Sequence, residues 1–177
     1  MGKRSNFKRM KGDFYVTPPV AVLPLLPHLE HGTMFAEPCA GDGALVDALE
    51  KHGMSCQQMA DINPKRDDIQ KLDVFDREFD FWLEDSVDKI ITNCPWSRPI
   101  LHPMIELFSR ERPTWLLFDA DWMHTIQAKP YLKHCDKIVS VGRVSWMGNG
   151  VHGMDNAAWY LFDQNTQCET QFIGRCT

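Results

Sequence analysis

Two apolar runs near the end of the chain, KIVSVGRVSWM and NAAWYLFD, are separated by only the eight residues GNGVHGMD. A parallel pair needs a crossover of about a dozen residues or more, so these two strands are expected to pair antiparallel. Everything before them alternates instead. GTMFAEPCA reads as a strand and GALVDALEKHG as a helix, with Leu45 and Leu49 one turn apart and Gly53 as its stop. MSCQQMADIN and IQKLDVFD read as the second and third strands, FWLEDSVDK as a helix, KIITN as a strand and RPILHPMIELFSRER as the next helix. TWLLFDADW is again a strand, and the stretch from Met123 to Asp136 is helical in pattern. Ahead of the alternation lies DFYVTPPVAVLPLL, where Thr17 is placed to cap a helix, Pro18 suits its first turn, and Pro24 and Pro27 keep it short. Such a chain specifies an α/β, doubly wound, mostly parallel sheet with helices on both faces and one reversed strand at its end.

A chain of 177 residues suffices for one domain with a sizeable core and is short for two. No apolar run approaches the roughly 20 residues that span a membrane, and the basic N-terminus is not followed by an apolar signal segment, so a cytoplasmic location is expected. The net charge of −5 conceals an asymmetry, because Lys3, Arg4, Lys8, Arg9 and Lys11 precede the first acid, Asp13. The remaining 14 of 19 basic residues face 24 acidic ones. Residues 1–13 are therefore expected to form a basic, flexible arm, and residues 14–177 a single domain. A polyanion would be met locally, by that arm or by a patch, though on charge alone a solvated, disordered terminus is the better account. The six cysteines (39, 56, 94, 135, 168 and 176) contain no CxxC pair, which argues against a metal site, and free thiols are expected.

Chemistry concentrates where strands end. In FAEPCAGDGAL, Gly41 and Gly43 join the first strand to the first helix and allow a close backbone approach to a ligand. The spacing is not the phosphate fingerprint GxGxxG, and by itself this turn is also compatible with tight packing. Asp61, 20 residues beyond Gly41, ends the second strand, where a carboxylate can accept hydrogen bonds from both hydroxyls of a ribose. Asp73 adds an acceptor near the end of the third. KIITN then runs into Cys94, Pro95 and Trp96, an amide, a thiol, a rigid ring and a large flat one at the mouth of a strand.

EPCAGDGAL, ADIN, LDVFD and NCPW occur in the order found in class I S-adenosylmethionine-dependent methyltransferases, which the chain resembles from about Phe14 to Phe162. NCPW is similar to the (D/N)PP(Y/F/W) signature of the amino-methyltransferases, above all the DNA adenine N6-methyltransferases, and FYVTPP to their F-x-TP cofactor segment. The resemblance implies a Rossmann-like sheet of seven strands whose last is antiparallel, and S-adenosyl-L-methionine as cofactor. It implies that Tyr15, Thr17, Glu37, Cys39 and the Gly41 to Gly43 turn hold the methionine end. Asp61 would bind the ribose, Ile62 would pack on the adenine, and Asp73 with Val74 would read that ring. Asn93, Cys94, Pro95 and Trp96 would be catalytic, with Asn93 also lying against the cofactor. No separate target-recognition domain is expected.

An exocyclic amine is a poor nucleophile because its lone pair is delocalised into the ring. Two acceptors holding its hydrogens can rehybridise the nitrogen and aim the lone pair. The Asn93 side-chain oxygen and the Cys94 carbonyl would supply them, Pro95 would stiffen the turn, and Trp96 would stack on the base. Cys94 departs from the family's first proline. A covalent cysteine would need a lowered thiol pKa, for which nothing nearby in the sequence provides. Adenine in DNA is the acceptor expected, flipped out of any duplex. The same clamp would serve RNA adenine or a protein glutamine, and a non-catalytic binding protein on the same fold is the third reading. His102, His124, His134 and His152 are expected on the surface or in packing.

Overall fold

The computed structural model describes residues 15–146, 155–166 and 169–175. The basic arm, Phe14, most of the GNGVHGMD loop with His152, and Cys168 and Cys176 lie outside the described residues.

The strands are β1 (Met34–Glu37), β2 (Ser55–Asp61), β3 (Gln70–Lys71), β4 (Lys89–Thr92), β5 (Thr114–Asp119), β6 (Cys135–Gly142), β7 (Ala157–Phe162) and β8 (Gln171–Ile173). They form one sheet in the order β3-β2-β1-β4-β5-β7-β6-β8. β7 runs antiparallel to both β5 and β6, and every other pairing is parallel. The expected hairpin is thus β6–β7. The reversed strand is not the last one, however, because the short β8 returns to pair with β6 as an eighth strand.

Alternation along the strands sorts the core into two layers. On β5, Leu116 and Phe118 face one side with Ile90 of β4, and Trp115 and Leu117 face the other with Ile91. The first side is covered by α3 (Arg98–Glu111), whose Leu101, Met104, Ile105 and Phe108 fall on one helical stripe and are buried. The second is covered by α1 (Pro19–Val22) and α2 (Ala44–Glu50), through Ala21, Val22, Leu45, Val46 and Leu49. Being buried on both faces makes KIIT and TWLLF continuous apolar runs rather than alternating ones. No helix among the described residues is long and apolar enough to cross a membrane.

Four local expectations are corrected. Thr17 does not cap α1, whose N-cap is Pro18 and lacks a side-chain cap bond. FWLEDSVDK is not a helix. A 3₁₀ turn over Arg77–Phe81 precedes an irregular segment held by partners far away in sequence. Gln58 Nε2 donates to the Trp82 carbonyl, Glu84 N to Gln58 Oε1 (2.9 Å), Trp82 Nε1 to Gln70 Oε1 (3.0 Å) and Met34 N to Asp88 Oδ2 (2.9 Å). Main-chain groups satisfied across the fold have no need of a helical ladder. The Met123 to Asp136 stretch breaks into 3₁₀ turns at Ala120–His124 and Ile126–Ala128 and the four-residue α4 (Lys129–Leu132), interrupted by the extended Thr125. IQKLDVFD contributes only two strand residues, which pair with Ala60 and Asp61.

Candidate functional site

Strand order reverses between β1 and β4, the point at which an open parallel sheet leaves a crevice beyond its carboxyl ends. The loops after these two strands carry the glycine turn and NCPW.

β1 ends at Glu37, which is 1% exposed and whose Oε2 has no hydrogen-bond partner among the described residues. Burial holds its carboxyl well above the usual carboxylate range, Asp61 and Asp42 push it further the same way, and a bond from the Asn93 backbone opposes them. The chain then turns through Gly41 (φ 57°) and Gly43 (φ 79°). Both occupy the left-handed region, and at Gly43 a Cβ would collide with the Arg66 guanidinium. That guanidinium pairs with Asp47 (2.8 Å) and Asp68 (2.6 Å).

Asp61 closes β2, and its carboxylate already holds main chain: Gly41 N donates to Oδ2 (2.9 Å) and Asn63 N to Oδ1 (2.7 Å). The Gly41 carbonyl accepts from Lys65 N at 2.9 Å. Asp61 therefore ties the glycine turn to the next strand, and its remaining lone pairs are the ones a ribose could use. Ile62 follows it, 62% exposed. After β3, Asp73 Oδ1 accepts from Phe75 N (3.0 Å). Val74 is buried in the core, so only its backbone can face a ligand, whereas Phe75 is half exposed. Sequence reasoning passed over Phe75, although an aromatic two residues after a loop aspartate was the available signal.

Beyond β4, Asn93 Nδ2 donates to Thr17 Oγ1 (3.1 Å) and to the Tyr15 carbonyl (3.3 Å). A carbonyl oxygen can only accept, so the atom facing it is the amide nitrogen and the orientation of the side chain is determined. Asn93 Oδ1 is left as an acceptor with no donor among the described residues, and so is the Cys94 carbonyl. The Cys94 side chain is buried, and burial pushes its thiol up to about 12. Cys39, in the glycine turn, is likewise raised, by burial first and then by Cys94. Neither is poised as a thiolate.

Trp96 is partly buried and meets Trp146 edge to face, with ring centroids 5.5 Å apart and planes at 89°. Trp146 also takes Tyr15 at 6.5 Å. Trp146 was missed because it reads as part of an ordinary strand, while it stands just past the end of β6, on the edge of the sheet that carries NCPW. An open groove of about 530 Å³ adjoins it, lined by Thr17, Pro18, Ala44, Asp47 and Ser145 among others. Of the histidines, His102 is a packing residue: Trp122 Nε1 donates to its Nε2 (3.0 Å) and Tyr131 lies 4.6 Å away, centroid to centroid.

An open sheet in this order, with one reversed strand inserted between β5 and β6, is the fold of the class I S-adenosylmethionine-dependent methyltransferases. Solved structures share it. A type I restriction-modification methyltransferase subunit from Streptococcus thermophilus matches at a TM-score of 0.58 and 10% identity, over 91% of this chain and 47% of its own. A dimethyladenosine transferase from Plasmodium falciparum matches at 0.51 and 14% identity, over 86% and 63%. A Pyrococcus horikoshii protein thought to be an RNA methyltransferase matches at 0.55 and 15% identity, over 91% and 92%. The chain thus spans about half of the restriction-modification subunit and nearly all of the archaeal protein. No protein-family model matches the sequence, and neither does any curated protein.

Proposed function

We propose that the protein transfers a methyl group from S-adenosyl-L-methionine to an exocyclic amine, that of adenine N6 in DNA. The observation that carries this reading is the pair of undonated acceptors at the end of β4, Asn93 Oδ1 and the Cys94 carbonyl. Asn93 is oriented from behind by Thr17 and Tyr15. Its oxygen and the neighbouring carbonyl can each take one hydrogen of a planar amine, and Trp96 can stack on the ring that bears it. With both thiols held protonated, a main-chain carbonyl rather than a sulfur is the part of Cys94 that acts.

The residues present fit the cofactor. Glu37 offers a buried, unpartnered carboxyl oxygen that suits an ammonium group, and Asp61 keeps lone pairs for ribose hydroxyls. Ile62 and Phe75 stand exposed on the loops after adjacent strands, where a purine would be enclosed. When bound, the cofactor supplies an electrophilic methyl; the chain's own task is to bind it, to orient the amine and to keep water away. The restriction-modification and dimethyladenosine names among the structures sharing the fold agree with methyl transfer to a nucleic acid. The basic residues of the N-terminal arm would add a first polyanion contact.

The test is incubation with labelled S-adenosylmethionine and a panel of DNA, RNA and protein, followed by nucleoside analysis. Labelled N6-methyladenine from DNA is expected. Label in RNA adenine or in glutamine alone would move the reading to those acceptors, and label in none of the three would sink it.

A further inference from the structure

β6 and β8 bring a second group of side chains to the sheet edge that carries the clamp. β5 and β6 are both antiparallel to β7, so they run alike, and β8 is parallel to β6. The carboxyl ends of β4, β5, β6 and β8 consequently share one edge. There a concavity of about 480 Å³ is lined by Met123, Gly142, Arg143, Asn156, Phe172 and Arg175, among others.

Two features of this concavity call for a ligand. Among the described residues Arg77, Arg143 and Arg175 make no hydrogen bond or ion pair, whereas Arg66, Arg98, Arg110 and Arg112 do. Arg143 and Arg175 are set apart from Arg77 by lining one concavity together. Gly142 (φ 82°) lets Arg175 approach, since a Cβ there would lie 3.0 Å from Arg175 Nη1. Asp119, on the same edge, accepts from Asp121 N and pairs with neither of them. Two guanidinium groups lining one cavity with no ion-pair partner among the described residues favour an anion between them. Beside them Phe172, on the edge strand, is 62% exposed.

We propose that this concavity holds the nucleic-acid strand that bears the target base, some way along from the base itself. Arg143 and Arg175 pair with backbone phosphates, and Phe172 stacks on an unpaired base. This rests on the reading of Asn93 to Trp96 as an amine clamp. Three to four strand spacings separate β4 from β6 and β8, roughly 14–19 Å at about 4.8 Å each. At the duplex rise of roughly 3.4 Å per phosphate along a strand this distance is roughly four to six nucleotides, and an extended unpaired strand covers it with fewer.

The experiment measures binding of short fluorescent single-stranded DNA, with and without adenine, across a range of salt. Relative to wild type, Arg143→Gln combined with Arg175→Gln should lower the log–log salt slope by about 1.4, two single-strand phosphate contacts' worth. Phe172→Ala should weaken binding of both oligonucleotides by about 5- to 150-fold. S-adenosylmethionine affinity should be unchanged in each variant, which also reports that the exposed substitutions left the fold intact. An unchanged slope in the double variant overturns the proposal, and so does failure of wild type to bind either oligonucleotide. Should wild type bind with the expected slope yet methylate no adenine, the clamp reading falls while the phosphate surface stands. Methylation with an unchanged slope in the double variant gives the reverse.

Discussion

The glycine turn after β1 and the NCPW turn after β4 sit side by side at the same crevice, yet they are held in different ways. The glycine turn is braced by its immediate neighbours: the Asp61 carboxylate on Gly41 N, Lys65 N on the Gly41 carbonyl, and the Arg66 guanidinium over Gly43. The clamp takes one main-chain brace from its neighbour, the bond from the Asn93 backbone to the Glu37 carboxyl, but its side chain is set from further away. Its Asn93 is oriented by Thr17 and Tyr15, residues 76 and 78 positions upstream, on the segment that enters the fold. On the proposed reading, the turn that would hold the cofactor is part of the scaffold, whereas the clamp is set by a strap. Damage to the first should therefore cost stability and cofactor affinity together, and damage to the second should cost turnover alone.

The largest effect is expected where the clamp itself is cut. Asn93→Ala removes an acceptor needed when the amine attacks, so kcat should fall by about 10²-fold or more with cofactor affinity little changed. A small loss in single-turnover assays would contradict the division just drawn. Next comes Asp61→Ala, which should weaken S-adenosylmethionine binding by about 1–3 kcal/mol in calorimetry. Because the same carboxylate ties two main-chain N–H groups, its melting temperature should drop as well. If affinity falls and the melting temperature does not, the brace is not structural. Thr17→Val deletes one of the two acceptors orienting Asn93. A neutral hydrogen bond is worth about 0.5–1.5 kcal/mol, so kcat should fall about 2- to 10-fold at unchanged melting temperature.

Glu37 gives the smallest and most diagnostic signal. Below its ordinary value of 4.5 the carboxyl is protonated whether the chain is folded or not, and nothing is lost. Above that value the unfolded chain ionises freely, while the folded one must retain the proton or bury a charge, so stability declines as pH rises toward the elevated folded value. Glu37→Gln removes this decline. The ligand-free variant should melt about 2–4 °C above wild type at about pH 8, the shift made by about 1 kcal/mol in a domain of this size, and close to wild type at about pH 5. Its affinity for S-adenosylmethionine should nevertheless be weaker. Equal melting temperatures at both pH values would mean that Glu37 is compensated in the folded protein.

Much of this was legible because local signals agreed. The continuous runs KIIT and TWLLF announced strands buried on both faces. The eight residues between the runs KIVSVGRVSWM and NAAWYLFD pointed to a reversed β7, although β6 itself ends at Gly142 and the link to Ala157 is longer than the runs suggested. What escaped the sequence was contact made at long range. The 76-residue span from Thr17 to Asn93 leaves no periodic trace, so Thr17 read as a helix cap when its hydroxyl was engaged elsewhere. FWLEDSVDK has helix-compatible residues, and tertiary bonds from Gln58, Gln70 and Met34 overrode them. β8, three residues long, is shorter than any pattern that alternation could reveal. Trp146 and Phe75 needed the sheet edge to be assembled before their neighbours were known.

Both margins of the sheet are short strands, two residues at β3 and three at β8, while the strands just inside them run to seven and eight. An unpaired strand edge is a template on which another chain can add, so brief margins, one ending in Lys71, limit intermolecular pairing. Removing β8 would unpair the outer edge of β6 at Lys137, Ile138 and Val139, the last two now buried. β8 thereby covers an edge on which a second chain could pair, and a protein lacking it would be expected to self-associate more readily.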